Sequence, residues 1–308
     1  MRAAFSEVLI RLAKADPNVL LLTGDHGYAL FDDFRRECPT QFINTGIAEQ
    51  NMVGMASGLA RTGFRPFVYG LSAFIPVRVL EQIKIDIAHG QLPVILIGDG
   101  AGFVYSHLGT SHQATEDIAC TRAIPSLSVY SPADRFELIA CVETAYEAKT
   151  SVYLRMGKSD RGDLHVAKIQ PEVGSLLETK TGQAGQIVFI ATGSMVCTAM
   201  DIALASYPGA GVWSVPYIKP INVKQVTSIC ERSTAVVVLE EHSVFGGLGS
   251  VITEIVSEFA TVRVLRVGVR DRFSQHCGTY EYLLKEHGLD RKSIEQQISK
   301  FLMGIRIA

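Results

Sequence analysis

Along the first half of the chain, short unbroken apolar runs alternate with longer stretches at helical spacing. The runs VLLL (19–22), PFVY (66–69), PVILIG (93–98), SLSVY (126–130) and SVYLR (151–155) show no polar alternation, as expected of strands covered on both faces of a parallel sheet. Between them the spacing predicts helices over residues 3–13, 47–61, 76–90, 114–123 and 133–148. From 162 to 186 the chain turns polar and rich in Gly, Lys, Gln and Thr, with no helix or buried strand in prospect. A second α/β cycle follows, with strands expected at 187–192, 211–215, 235–241 and 261–269. The last of these alternates, which predicts an edge or half-exposed position. Two α/β domains are therefore expected: residues 1–165 on a mostly parallel sheet, a linker at 166–184, and a smaller domain at 185–308 on a mixed sheet.

Composition narrows the function classes. The 29 basic and 31 acidic residues give no stripe of like charge, so neither nucleic acid nor an anionic membrane is indicated as a partner. Six cysteines occur without a CxxC pair, which reads as reduced thiols in a cytoplasmic protein. The N-terminal MRAAFSEVLIRLAKADP lacks the continuous apolar core of a signal peptide, and no window reaches membrane-spanning length.

Two glycine stretches invite a dinucleotide reading and fail it. GGLGSV (246–251) has Ile252 where the third glycine belongs, and IGDGAGF (97–103) has Phe103 there; tight strand-to-helix turns explain them better. A sharper question is posed by FINTGIAEQNMVGMASGLARTG (42–63). From Ile47 onward its apolar and small positions surround the whole helix, as in a helix buried on all sides. Gly54 and Gly58 share one face and would admit another backbone, from this chain or from a second copy or partner. Glu49 in that setting has two readings. With Gly46 as N-cap it would be the third helical residue and could cap the helix; alternatively it is a buried carboxylate kept for a ligand.

TGIAEQNMVGMASGLA resembles the segment bearing the catalytic glutamate of transketolases and related thiamine-diphosphate enzymes. SAFIPVRVLEQIK (72–84) is similar to the family's pyrimidine-binding loop, LGTSHQATEDIACTRAIPSLSVYSPAD (108–134) to its substrate-histidine loop, YLRMGK (153–158) to the end of its pyrimidine-binding domain, and EEHSVFGGLGSVITE (240–254) to the signature of its C-terminal domain. The segments stand in family order and span nearly the whole chain. The resemblance implies that Glu49 bonds N1′ of the coenzyme's aminopyrimidine and shuttles protons there. Phe74, followed by Val77 and Arg78 where a second aromatic often stands, would form the pyrimidine pocket, with Asp25 near the thiazolium. His112 would contact the sugar, with His107 as a neighbour, and Arg155 and Arg2 would grip a sugar phosphate.

Departures from the family pattern are Leu108 in place of an acidic residue that reads the acceptor, and Ala29 in place of a phosphate-binding serine. The family's diphosphate and Mg2+ site is missing from this chain: Gly98-Asp99-Gly100 falls in the pyrimidine-binding domain, and no Asn follows within 120–132. The resemblance thus implies the C-terminal subunit of a split transketolase, moving a two-carbon ketol unit from a ketose to an aldose. It would act with thiamine diphosphate, with Mg2+ held by a separate diphosphate-binding subunit, in a heterotetramer of two subunits of each kind; no metal ligand is assigned here. The alternatives are the beta subunit of a 2-oxo acid dehydrogenase, or a non-catalytic partner that keeps the fold.

Overall fold

The structure, a computed structural model, describes residues 1–158 and 160–304; Ser159 and the last four residues of the expected second domain lie outside the described residues. Among the described residues, twelve strands build two sheets. The first takes β1 (Val19–Thr23), β2 (Phe42–Asn44), β3 (Arg65–Leu71), β4 (Ile95–Asp99), β5 (Leu127–Tyr130) and β6 (Ser151–Met156); the second takes β7 (Leu177–Lys180), β8 (Val188–Ala191), β9 (Gly211–Ser214), β11 (Ala235–Ser243) and β12 (Arg263–Val269). One strand crosses over. β10 (Tyr217–Lys219), from the C-terminal half, pairs antiparallel with β5 and becomes the seventh strand of the first sheet.

The first sheet runs β10-β5-β6-β4-β3-β1-β2 and is parallel apart from β10. Its central strands are apolar without alternation because both faces are covered. Along β1, Val19 and Leu21 join Phe5, Leu9 and Leu138 on one side, while Leu20 and Leu22 join Met52, Val53 and Ile83 on the other. Each buried Leu contributes on the order of 2 kcal/mol of apolar burial, so a polar residue in place of Leu20, Leu21 or Leu22 would be costly. The second sheet runs β12-β11-β8-β9-β7, with β7 antiparallel to β9. β12 is an edge strand whose first residues are exposed or half-buried, in agreement with its alternating sequence.

Three expectations are corrected. β7 lies inside the polar stretch expected to link the domains; as an edge strand it buries little, with Glu178 exposed, so its residues need not be apolar. The single helix expected over 76–90 is a 3-10 turn (Val77–Val79), a short α segment (Leu80–Gln82) and a π-helix (Ile83–Ala88). The helix expected from Ile47 starts at Glu49, with Ala48 as N-cap and no side-chain cap. Glu49 is then its first residue, which removes the capping reading.

The two domains meet along the end of β11, where Glu240, Glu241 and His242 are all buried. His242 Nδ1–H donates to Ser243 O at 2.8 Å while Nε2 accepts from Ala119 N–H at 3.3 Å, an arrangement suited to the neutral ring. Asp117 Oδ1 and Glu240 Oε2 stand 3.9 and 3.7 Å from its nitrogens, with Arg155 next to Asp117. Burial pushes the His242 pKa down to about 4, and burial pushes the carboxyl of Glu240 up to about 7. The two act with opposite sign. The depressed histidine contributes stability that is present above its unfolded value and lost as pH falls through about 4; the raised glutamate contributes stability present below its unfolded value and lost as pH rises through about 7. Removing the first isolates its slope. His242→Gln is expected to lose stability relative to wild type as pH rises from about 4 to 6.5, read from urea midpoints of both proteins across that range; a constant difference would refute it.

Candidate active site

In the first sheet the chain passes from β1 to β2 on one side and then to β3 on the other. The carboxyl ends of β1 and β3 therefore flank a topological switch point, where open α/β sheets bind ligands. The loops leaving β1, β3 and β4 carry Asp25, Phe74 and His112, and the helix after β2 opens on Glu49.

The loop after β1 is tightly wound, with Asp25, Gly27 and Ala29 at φ of 60°, 78° and 61°. Left-handed backbone at two non-glycine residues is uncommon and clusters at functional sites. Asn44, the last residue of β2, fastens this loop to the next: its Oδ1 accepts from Asp25 N–H at 3.1 Å and Gly46 N–H at 3.0 Å, and its Nδ2 donates to Asp25 Oδ1 at 3.2 Å. That registers Asp25 and His26 against the start of the Glu49 helix.

Glu49 is 4% exposed. Arg78 Nη1 donates to its Oε1 at 3.0 Å, and the guanidinium lies over the Phe74 ring, 4.0 Å from the centroid. Phe74 in turn meets the His112 ring edge-on at 5.2 Å and His26 at 6.0 Å. The structure thus brings Glu49, Phe74, Arg78 and His112 into one contact chain. Val77 is exposed beside Arg78, and His107 and Leu108 are exposed on the loop that bears His112. Asp25 is exposed at the rim.

His26 carries no motif of its own in the sequence, although its neighbour Asp25 does. Its Nε2 is buried 3.9 Å from Glu49 Oε1 and finds no hydrogen-bond partner among the described residues. A buried acid, an aromatic face and an unsatisfied imidazole nitrogen suit a polar heteroaromatic ring, and the fit to an aminopyrimidine is good. Among the described residues no group of three or more His, Cys, Asp or Glu is arranged to hold a metal ion, and no helix is long and apolar enough to cross a membrane.

The two arginines expected at a phosphate both form ion pairs within the chain, one sealed and one half-exposed. Arg155 is 3% exposed: Nε donates to Asp117 Oδ2 at 2.8 Å, and Nη2 to the carbonyls of Ala114 and Glu241 at 3.2 and 2.8 Å. These bonds give Arg155 a structural part in the seam between the domains, with little surface turned toward a sugar phosphate. Arg2 pairs with Asp99 at 2.6 Å, alongside Tyr105, with half its side chain exposed. Asp99 also accepts from Tyr69, and a Cβ at Gly98 would lie 2.4 Å from the Tyr153 hydroxyl. Packing thus accounts for the Gly98-Asp99-Gly100 sequence.

A parallel sheet with a buried acid and an aromatic at its switch point, followed by a second α/β domain on a mixed sheet, is the two-domain arrangement expected of the C-terminal half of a transketolase. The family models for the transketolase pyrimidine-binding domain and the transketolase C-terminal domain match residues 1–162 and 179–294. The chain belongs to the transketolase family. It is 31% identical to one of the subunits of the apulose-4-phosphate transketolase of Phocaeicola vulgatus, covering 98% of this chain and 97% of that one. It is 32% identical to the 6-deoxy-6-sulfo-D-fructose transketolase subunit SqwH of a Clostridium species, covering 96% and 92%. Among solved structures it resembles a split-gene transketolase described as an inactive beta4 tetramer, with TM-score 0.88 and 32% identity over 99% of this chain and 98% of that chain.

Proposed function

We propose that this chain is the C-terminal subunit of a thiamine-diphosphate-dependent transketolase, moving a two-carbon ketol unit from an anionic ketose to an aldose in company with a separate diphosphate-binding subunit. The observation that carries the reading is Glu49, a buried carboxylate that shares its site with Phe74 and His112 at the sheet's switch point. When bound, thiamine diphosphate supplies the nucleophilic carbon that takes up the ketol fragment and releases it. Glu49 holds or yields a proton at the pyrimidine ring nitrogen, in a setting dry enough to make that bond count. Phe74 offers the ring a flat apolar face, with Val77 at its edge. Arg78 keeps the Glu49 carboxylate paired, which an otherwise buried charge requires. His112 and His107 face sugar oxygens, Asp25 and His26 border the reacting end, and half-exposed Arg2 is the remaining arginine for an anionic terminus.

Mg2+ and the diphosphate are assigned to the partner. Two relatives named for a phosphate and a sulfo sugar favour an anionic ketose, and the inactivity stated for the beta4 relative favours an obligate partner. The test is reconstitution: the chain, a candidate diphosphate-binding subunit, thiamine diphosphate and Mg2+, screened with fructose-6-phosphate and xylulose-5-phosphate as donors. Ketol transfer by the pair and none by the chain alone is expected; tight metal-dependent coenzyme binding by the chain alone would sink the reading.

The Glu49 helix bears on assembly. Its inner face, Met52, Val53, Ala56 and Ala60, is buried, but its outer face is open in the single chain, with nothing within 4 Å of a Cβ at Gly54 or Gly58. The expectation of burial on every side is thus half met within one chain, and a helix from a second subunit would complete it. Gly54→Leu is expected to leave the isolated chain folded, since the site is open and Leu has better helix propensity than Gly by about 0.8 kcal/mol. It should nevertheless abolish co-purification with the partner or the chain's own association. Normal assembly of the variant would place the contact elsewhere.

A further inference from the structure

The segment bearing His107, Leu108 and His112 leaves β4 and returns through a narrow neck. Gly102 N–H bonds Ala114 O at 2.9 Å and Ala114 N–H bonds Gly102 O at 3.0 Å, so residues 103–113 form a loop closed on that bridge. Inside the loop are two 3-10 turns, Ser106–Leu108 and Thr110–His112. A loop of this kind is placed by whatever grips its base. Here the grip comes from the other domain.

Glu241, the seventh residue of β11, reaches the neck with its side chain. Its Oε1 accepts from Phe103 N–H at 2.6 Å. Its Oε2 accepts from Ser194 Oγ at 2.5 Å and from the Tyr280 hydroxyl. A buried carboxylate with three donors from three segments makes bonds of the stronger, charge-assisted kind. The fit leaves no slack, since a Cβ on Gly102, at φ +65°, would lie 2.2 Å from Glu241 Oε1. The main chain joins in: Ser243 N–H bonds Thr115 O at 2.7 Å, and Arg155 bridges Ala114 O to Glu241 O. Farther round the loop, the Phe103 ring stacks on His287 at 4.9 Å, and Ser274 Oγ donates to Gln113 Oε1 at 2.8 Å.

We infer that Glu241 is a positioning residue for the sugar: by fixing the base of the 103–113 loop to the C-terminal domain it sets where His112 and His107 stand, and gives that domain a part in substrate recognition. The inference rests on the proposed reading of His112 as a sugar contact. Glu49 is held by other loops, so its proton chemistry does not depend on this clamp.

That separation supplies the test. In the reconstituted assembly, Glu241→Ala is expected to raise the KM for the ketose phosphate by about ten- to a hundredfold, the scale on which misplacement of a positioning group acts. Deuterium exchange at C2 of the bound coenzyme, which precedes sugar binding, should stay at the wild-type rate. Glu241→Gln, which can still accept from Phe103 while the two hydroxyls reorient, should recover most of the affinity. An unchanged KM, or C2 exchange falling together with sugar affinity, would overturn the inference. Should Glu241→Ala fail to fold, Tyr280→Phe removes one donor from the same carboxylate and is judged by the same pair of readouts. Amide exchange of residues 103–113 in the isolated chain reads the clamp without any activity: faster exchange in either variant supports it, unchanged exchange overturns it. A wild-type assembly without ketol transfer would instead sink the proposed function.

Discussion

Replacing Glu49 with Gln is expected to lower turnover of the reconstituted assembly by about a hundred- to ten-thousandfold, the usual contribution of one positioned acid-base group. Gln has the same shape, and its amide oxygen can still accept the 3.0 Å bond from Arg78. Folding, assembly and the 4% exposure of the site should therefore persist. What the amide cannot do is hold and release a proton. Steady-state ketol transfer, with the thermal midpoint and co-purification of the variant as controls, checks the expectation. Turnover equal to wild type would remove Glu49 from the mechanism. A variant that loses turnover only because it no longer assembles would show Glu49 to be structural.

The second large effect concerns stability. Arg155→Met strands the fully buried Asp117, whose Oδ2 would keep only the Tyr153 hydroxyl at 2.7 Å. Removing one partner of a buried ion pair costs about 3 to 5 kcal/mol, a large share of the stability of any single domain. A marked fall in urea midpoint and in soluble yield should follow. Adding Asp117→Asn keeps an acceptor for Tyr153 while deleting the charge, and should restore much of the loss. The same variant separates the two readings of Arg155: a phosphate grip at the surface would change KM and leave stability alone, whereas the observed seam predicts a large loss of stability that Asp117→Asn relieves.

What was legible in the sequence follows from what each residue's neighbours had to be. β1, β3, β4, β5 and β6 could be recognised because strands covered on both faces carry consecutive apolar residues without polar alternation. β2, β7 and β10 could not, being three or four residues long and outside the sheet centres. The π-helix at Ile83–Ala88 shares its residue types with an α-helix, so composition could not separate them. Among the candidate site residues, Asp25, Glu49, Phe74 and His112 were singled out through short local motifs. His26 stood beside Asp25, yet only its approach to Glu49 marks it.

The chain by itself determined two α/β domains and the alternation of buried strands and helices, because those features repeat at short range and must satisfy burial residue by residue; motifs standing in family order carried the resemblance to transketolases. Tertiary structure alone decided that Arg155 is sealed against Asp117, that β10 closes the neighbouring domain's sheet, and that Glu241 holds the loop of His112. Each of those pairings joins residues about forty to a hundred and forty apart in sequence. What a charged side chain does at such a contact is fixed by the partner and the water around it, and neither is written in the residues next to it along the chain.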